Sequence, residues 1–205
     1  MARLKNKLFY AILFAIIFSV IFSVIARLPR YTRLDASTSM DAATPLIPIF
    51  VIFYLLSYIF PLAAFLAANN IKQLKTIFKI FILQLLTFSI FFTLIPVAIQ
   101  HQPILTNDIF SRILILIRTI IDNEWNAFPS HHVASAFLTF LIVKEEKKQF
   151  IIPVFIAAFL IIISTLFTKQ HVILDVIAGL LLSSIFYLYY IKLLKSDKAV
   201  RKVNK

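Results

Sequence analysis

Residues 150–194 read FIIPVFIAAFLIIISTLFTKQHVILDVIAGLLLSSIFYLYYIKLL: two apolar runs, Phe150–Thr168 and His171–Leu194, separated only by Lys169 and Gln170. A helix crosses a hydrocarbon core of roughly 30 Å with about 20 mostly apolar residues, each adding about 1.5 Å. Both runs meet that length, so this stretch reads as two membrane-spanning helices joined by a short turn. Three earlier segments also qualify: Leu8–Ile25, Pro45–Ala68 and Ile77–Ile99. A sixth, about Ser130–Val143, is short for a span and must begin at or inside the interface, which sets its first residues at membrane depth. The expected fold class is all-α, a polytopic membrane helical bundle of about six transmembrane helices. Without repeats, low-complexity tracts or linkers, residues 1–205 read as a single membrane-embedded domain.

Composition agrees. The chain is 61% hydrophobic with a mean hydropathy of +0.94, against the roughly half-apolar usage of soluble domains. There is no cysteine, which excludes disulfides, thiol catalysis and thiolate-bound metals. Gly179 is the only glycine, so neither a glycine-rich phosphate loop nor a GxxxG seam can form. The first run ends in Val24-Ile25-Ala26, a permissive signal-peptidase site, but it exceeds the roughly 7–15 apolar residues of a signal core and is expected to be retained.

The net charge of +12 resolves into topology. Of the 21 Lys and Arg, 15 lie at the amino terminus (Arg3, Lys5, Lys7), between spans two and three (Lys72, Lys75, Lys79), in the Lys144/Lys147/Lys148 turn, and in the tail from Lys192. These are alternate connections, and the positive-inside rule makes them cytoplasmic. Both termini are therefore expected in the cytoplasm, and the basic charge calls for no nucleic acid. The tail can also touch anionic lipid.

The longest connection, about Gln100–Phe128, is not plain loop. At about 100° per residue, Asp108, Ser111, Arg112, Arg118, Thr119 and Asp122 fall within an arc of about 120°, with Ile and Leu filling the rest. This predicts an interfacial helix between spans three and four, on the outer leaflet. Arg112 and Arg118 read either as intrahelical partners of Asp108 and Asp122 or as cations around an anionic head group.

Chemistry-bearing residues gather on that outer side. Pro129 is placed to open the short fourth helix, leaving free N–H groups able to bind an anion beside His131 and His132. His171 opens the last span and Asp175 follows four residues later on the same face, where a carboxylate can fix the imidazole tautomer and sharpen its other nitrogen as nucleophile or base. Asp175 is the only acid inside a span, a burial costing roughly 2.5–3.5 kcal/mol on insertion scales. It reads as catalytic, or as a structural partner between helices. A metal site on His131, His132, His171 and Asp175 is disfavoured, because adjacent histidines diverge on a helix.

Pro129-Ser130-His131-His132 and Ser164-Thr165, followed by His171 and Asp175, resemble the second and third signatures of the type 2 phosphatidic acid phosphatase superfamily. The wider Asn126–Ala134 stretch and Phe167-Thr168-Lys169-Gln170-His171 look most like its inositol phosphorylceramide synthase and sphingomyelin synthase branch. The resemblance covers about Pro103–Gly179. It implies a six-helix membrane enzyme acting on a lipid phosphate ester, as phosphatase or head-group transferase, without metal or cofactor. His171 would form a phosphohistidine beside Asp175, His132 would act as acid and then base, and Ser130 with the following amides would cradle the phosphoryl oxygens. The implied setting is a multi-pass protein of the cell (inner) membrane with an extracytoplasmic active site and a phospholipid substrate.

The departures concern charge. The family's first signature carries a lysine and an Arg-Pro pair, where this chain has Ile95 and Gln102-Pro103, and Ser164-Thr165 stands for the usual Ser-Arg. Phosphoryl transfer spreads negative charge that must be neutralised. Lys169, His101, His131, Arg112 and Arg118 are the local candidates, and Lys169 is favoured as the sole cation in the turn before His171, although a snorkelling role fits it too. The lost cations leave open a catalytically degenerate lipid-binding or scaffold protein. A proton-relaying transporter fits less well, since the ionisable groups cluster at one interface rather than at the midplane.

Overall fold

A computed structural model describes residues 3–28, 34–99, 101–121 and 125–203, with side chains to Ser196 except that of Ile121. Among these residues the architecture is helical, and the only ladder contact is a single parallel bridge between Leu34 and Val97. The helices are α1 (Leu4–Ala26), α2 (Ser39–Ala43), α3 (Val51–Ile59), α4 (Leu62–Ala67), α5 (Ile71–Leu94), α6 (Ile109–Leu116), α7 (His131–Glu146), α8 (Ile151–Phe167) and α9 (Ile173–Val203). Arg30, Arg33, Gln100 and Asp122, and the side chains of the tail cations beyond Ser196, lie outside the described residues.

Among the described residues, four segments are long and apolar enough to cross a bilayer: Leu4–Ala26, Ile71–Leu94, Lys148–Phe167 and Ile173–Ser196. Helix α1 shows why lipid is needed. Ile12, Ile16, Val20 and Val24 form a continuous apolar stripe, each more than half exposed, which no water-facing helix would present. The expected second span is broken into pieces. A 3-10 turn, Pro48–Phe50, leads into α3, and Pro61 then interrupts the ladder between α3 and α4, because proline has no N–H to donate. Helix α7 has only 16 residues, about 24 Å, and is enclosed rather than lipid-facing: Val133, Ala134, Ala136, Leu138 and Ile142 are all buried.

The core lies where α1, α4, α5, α7 and α9 meet, around Phe14, Phe65, Phe81, Leu138 and Tyr190. Helices α7 and α9 cross at Gly179, where any Cβ would lie 2.7 Å from the Ser130 carbonyl oxygen. The sole glycine therefore permits a close backbone approach. At the far end of the bundle, Tyr190 donates to Glu146 at 2.8 Å, Lys147 to Asn69 at 2.7 Å and Lys7 to the Leu66 carbonyl at 2.6 Å. The amino terminus, the α4–α5 connection and the α7–α8 turn thus share one end.

The Gln100–Phe128 connection differs in detail from the expected continuous helix. Asp108 is the N-cap of α6 rather than part of its face, accepting from the Phe110 and Ser111 amides and from the Ser111 hydroxyl at 2.7 Å. The Ser111 bonds hold its carboxyl down to about 2. A π-helical turn, Ile117–Ile121, follows α6. The Arg112 guanidinium donates to Asn107 Oδ1 at 3.0 Å rather than to the Asp108 carboxylate. Leu114 and Ile117 anchor the segment against Val51 and Tyr54.

Candidate active site

The turn before α9 is pinned on all sides. Its Gln170 and His171 amides both donate to the Thr165 carbonyl, at 3.0 and 3.1 Å, and the Thr168 hydroxyl donates to the Ser164 carbonyl at 2.7 Å. Lys169 takes a left-handed backbone, φ 55°, reversing the chain so that α9 can start. Asp175, fully buried, accepts the Val172 amide at 3.0 Å and faces His171 Nδ1 at 3.3 Å. The four-residue spacing therefore yields an oriented imidazole, with Nδ1 on the carboxylate and Nε2 left for chemistry.

His132 approaches from α7, its ring centroid 5.8 Å from that of His171. Ser57 donates its hydroxyl hydrogen to the Tyr54 carbonyl, so its oxygen accepts from His132 Nδ1 at 2.9 Å. This leaves Nε2 as the lone-pair nitrogen, 2.9 Å from the Tyr54 hydroxyl. Tyr54 and Ser57 escape sequence reasoning because an apolar span conceals them, although hydroxyls three residues apart share a helix face.

The two imidazoles border an inner cavity of about 20 Å³, shared with Tyr54, His101, His131 and Gln170. His131 Nδ1 contacts Ser135 Oγ at 3.3 Å, which donates to Gln84 Oε1 at 3.3 Å, while the ring is flanked by Phe18 and Phe88. A groove of about 660 Å³ runs from His131, His132 and Ser135 along Phe14, Phe18 and Phe65. On the other side, an outer cleft of about 340 Å³ includes Ser37, Thr38, His101, Gln102, Lys169 and His171.

The expected phosphate ligands are distributed otherwise than their order in the chain suggests. Ser130, fully buried, is the N-cap of α7 through its hydroxyl, and its own amide donates to the Asp175 carbonyl at 3.1 Å. Pro129 consequently stands one residue before the cap, not at the first helical position. The Lys169 ammonium donates to the Asp41 carbonyl and lines the outer cleft, not the inner cavity. Burial lowers its pKa, partly offset by Asp41. Asp41 in turn accepts the Ile173 amide at 2.8 Å. Burial pushes the Asp41 carboxyl up, but the bonds from Thr38 and Ile173 and the nearby Lys169 bring it below its ordinary value. Arg118 donates to the Gln102 and Thr168 carbonyls at 2.9 and 2.8 Å, its pKa lowered to about 10 by burial. Arg112 is exposed on the surface. Among the described residues, no three His, Asp or Glu side chains gather as a metal ion would require.

The model of the PAP2 superfamily matches residues 6–189. The chain belongs to the PAP2 superfamily. No curated protein and no solved structure matches it significantly. Membership of the superfamily, with four bilayer-length helices, makes this a membrane protein of a family with phosphatase-type chemistry on lipid phosphate esters.

Proposed function

We propose that the protein is a metal-independent membrane enzyme that cleaves or transfers lipid phosphate esters through a phosphohistidine. The observation that carries this reading is the His171–Asp175 couple facing His132 across the inner cavity. His171 Nε2 attacks phosphorus, and the bond from phosphorus to the leaving alkoxide breaks. His132 enters this step as the imidazolium, gives its Nε2 proton to the alkoxide and returns to the neutral ring whose Nε2 is the lone-pair nitrogen. Water or an alcohol then attacks the phosphohistidine, His132 takes its proton, and the phosphorus–nitrogen bond breaks. Hydrolysis and transfer differ only in this second nucleophile, and the signature residues around His132 and His171 favour the synthase-like branch.

The membrane reading that accompanies this function has six crossings, with Pro48–Ala67 and the short α7 as the second and fourth, one domain over residues 1–205, and both termini cytoplasmic. The shared basic end of the bundle supports it. The active site then faces the extracytoplasmic side of the cell membrane, beneath an interfacial α6.

The test is incubation of the purified protein and its His171→Ala variant with radiolabelled lipid phosphates and phosphodiesters, with and without alcohol acceptors. Turnover that vanishes in the variant supports the enzyme, and the product separates phosphatase from transferase. Acid-labile, base-stable phosphate on the wild-type chain identifies the intermediate. Equal turnover by both proteins removes His171 from the mechanism.

A further inference from the structure

Helix α5 holds three lysines and no acidic residue over Ile71–Leu94. Lys75 and Lys79 are both exposed, and among the described residues no carboxylate lies within ion-pair distance of either. Gln73, just before Lys75, donates to the Tyr190 hydroxyl, which in turn donates to Glu146 at the far end of the bundle. Lys79 follows Gln73 by six residues, which sets it about 9 Å deeper along the helix. Its backbone therefore lies inside the apolar layer rather than among the head groups.

The face it occupies is the lipid face. Leu86, Ile90 and Leu94, which are 45%, 58% and 73% exposed, continue the line of Lys75 and Lys79 within an arc of about 100°. Ionisable groups in a span usually turn to the bundle interior or to a water-filled space, where a partner meets them. Lys79 does neither. A helical side chain leans toward the amino terminus of its helix, so the Lys79 ammonium runs back over the turn that carries Lys75. Two ammoniums at four-residue spacing repel, and α5 supplies no carboxylate to offset them. The α7–α8 turn is the contrast: Lys144 and Lys148, also exposed and at the same spacing, share their segment with Glu145 and Glu146.

The counter-charge for α5 must come from the bilayer. We propose that Lys75 and Lys79 bind the phosphate of an anionic phospholipid in the leaflet at this end of the bundle, with an acyl chain lying along Leu86 and Ile90. A net negative head group suits the pair, since a zwitterionic lipid brings its own cation to its phosphate. Helix α7 runs from His131 at the inner cavity to Glu146 at this end, so the site is remote from the two imidazoles and holds a structural lipid, not a substrate.

The experiment reconstitutes the whole chain in phosphatidylcholine nanodiscs with and without phosphatidylglycerol. Wild type is compared with Lys75→Leu/Lys79→Leu, with Lys75→Arg/Lys79→Arg, and with Lys144→Gln/Lys148→Gln, which removes the same charge elsewhere at the same end. Native mass spectrometry reads the phosphatidylglycerol retained, and thermal unfolding reads its effect on the fold. Wild type and the arginine pair are expected to retain phosphatidylglycerol over phosphatidylcholine and to gain about 2–4 °C in midpoint from it. The leucine pair should lose that gain and hold the lipid about tenfold more weakly, while the Lys144/Lys148 pair keeps both. No preference in wild type, or an undiminished one in the leucine pair, overturns the proposal. So does an equal loss in the Lys144/Lys148 pair, because the charge at this end would then act diffusely. Leucine makes α5 more apolar and so favours its insertion; if circular dichroism shows that pair unfolded, Lys79→Gln is read in its place against the same two outcomes. None of these readouts needs turnover, so they decide the lipid site whether or not the enzyme reading holds.

Discussion

At the scale of single residues, the amino-terminal end of α7 and the turn before α9 hold two imidazoles whose environments push them towards different work. His171 is oriented by a carboxylate and His132 by two hydroxyls. Replacing His171 by alanine is expected to abolish turnover, and His132→Ala to slow it by about 10²–10⁴-fold, the usual worth of general acid–base catalysis. Both variants should retain wild-type helicity by circular dichroism; a His132→Ala protein with full turnover would strip that residue of its role. Tyr54→Phe removes the hydroxyl at His132 Nε2 and should displace the pH–rate profile more than it lowers the maximal rate. Full pH–rate curves for the two proteins decide this. His132, His171 and Asp175 are legible in the sequence because ionisable groups are expensive in an apolar run. Gln170 and Tyr54 are not, since an amide or phenol there has many ordinary uses and only the packing of α3 and the last turn around α7 brings them to the inner cavity. For Lys169, nearness to His171 in the chain says nothing of where a left-handed backbone sends its ammonium, which here reaches the Asp41 carbonyl beside the outer cleft.

At the scale of elements, the α7–α9 crossing and the α2 clip hold the site in register. Gly179→Ala puts a methyl against the Ser130 carbonyl, one turn beyond Asp175, and should destabilise the fold by about 1–3 kcal/mol as an overpacked contact. Thermal unfolding in detergent measures it, and an unchanged midpoint would mean that the helices separate freely. The Asp41 carboxyl, holding the first amide of α9, has a pKa below its ordinary 3.8. Its contribution is therefore complete above that value and lost as pH falls through the lowered pKa. Wild type should lose more thermal stability than Asp41→Asn on acidification from about pH 5 to pH 3, and parallel losses would dismiss the clip. The long uninterrupted spans are plain in the sequence because apolar length alone specifies them. The broken Pro48–Ala67 segment, α2 and the π-helical turn are not, being fixed by caps, a proline and tertiary contacts rather than by periodicity.

At the scale of the whole molecule, a chain without cysteine permits topology mapping on a silent background. Met40→Cys, at a position 68% exposed near the outer cleft, should react with an impermeant maleimide in intact cells, and Lys148→Cys only after permeabilisation. The reverse pattern would invert the bundle and move the active site to the other leaflet. The groove leading to His132 adds a kinetic consequence. Its walls include Ile12 and Ile59, which are 58% and 65% exposed, so it is open on the lipid-facing side of the bundle. A substrate entering there arrives by diffusion within the bilayer, not from water. The quantity that sets the rate is then its mole fraction among neighbouring lipids, so diluting it with inert lipid or detergent at constant bulk concentration should slow the enzyme as surely as removing substrate.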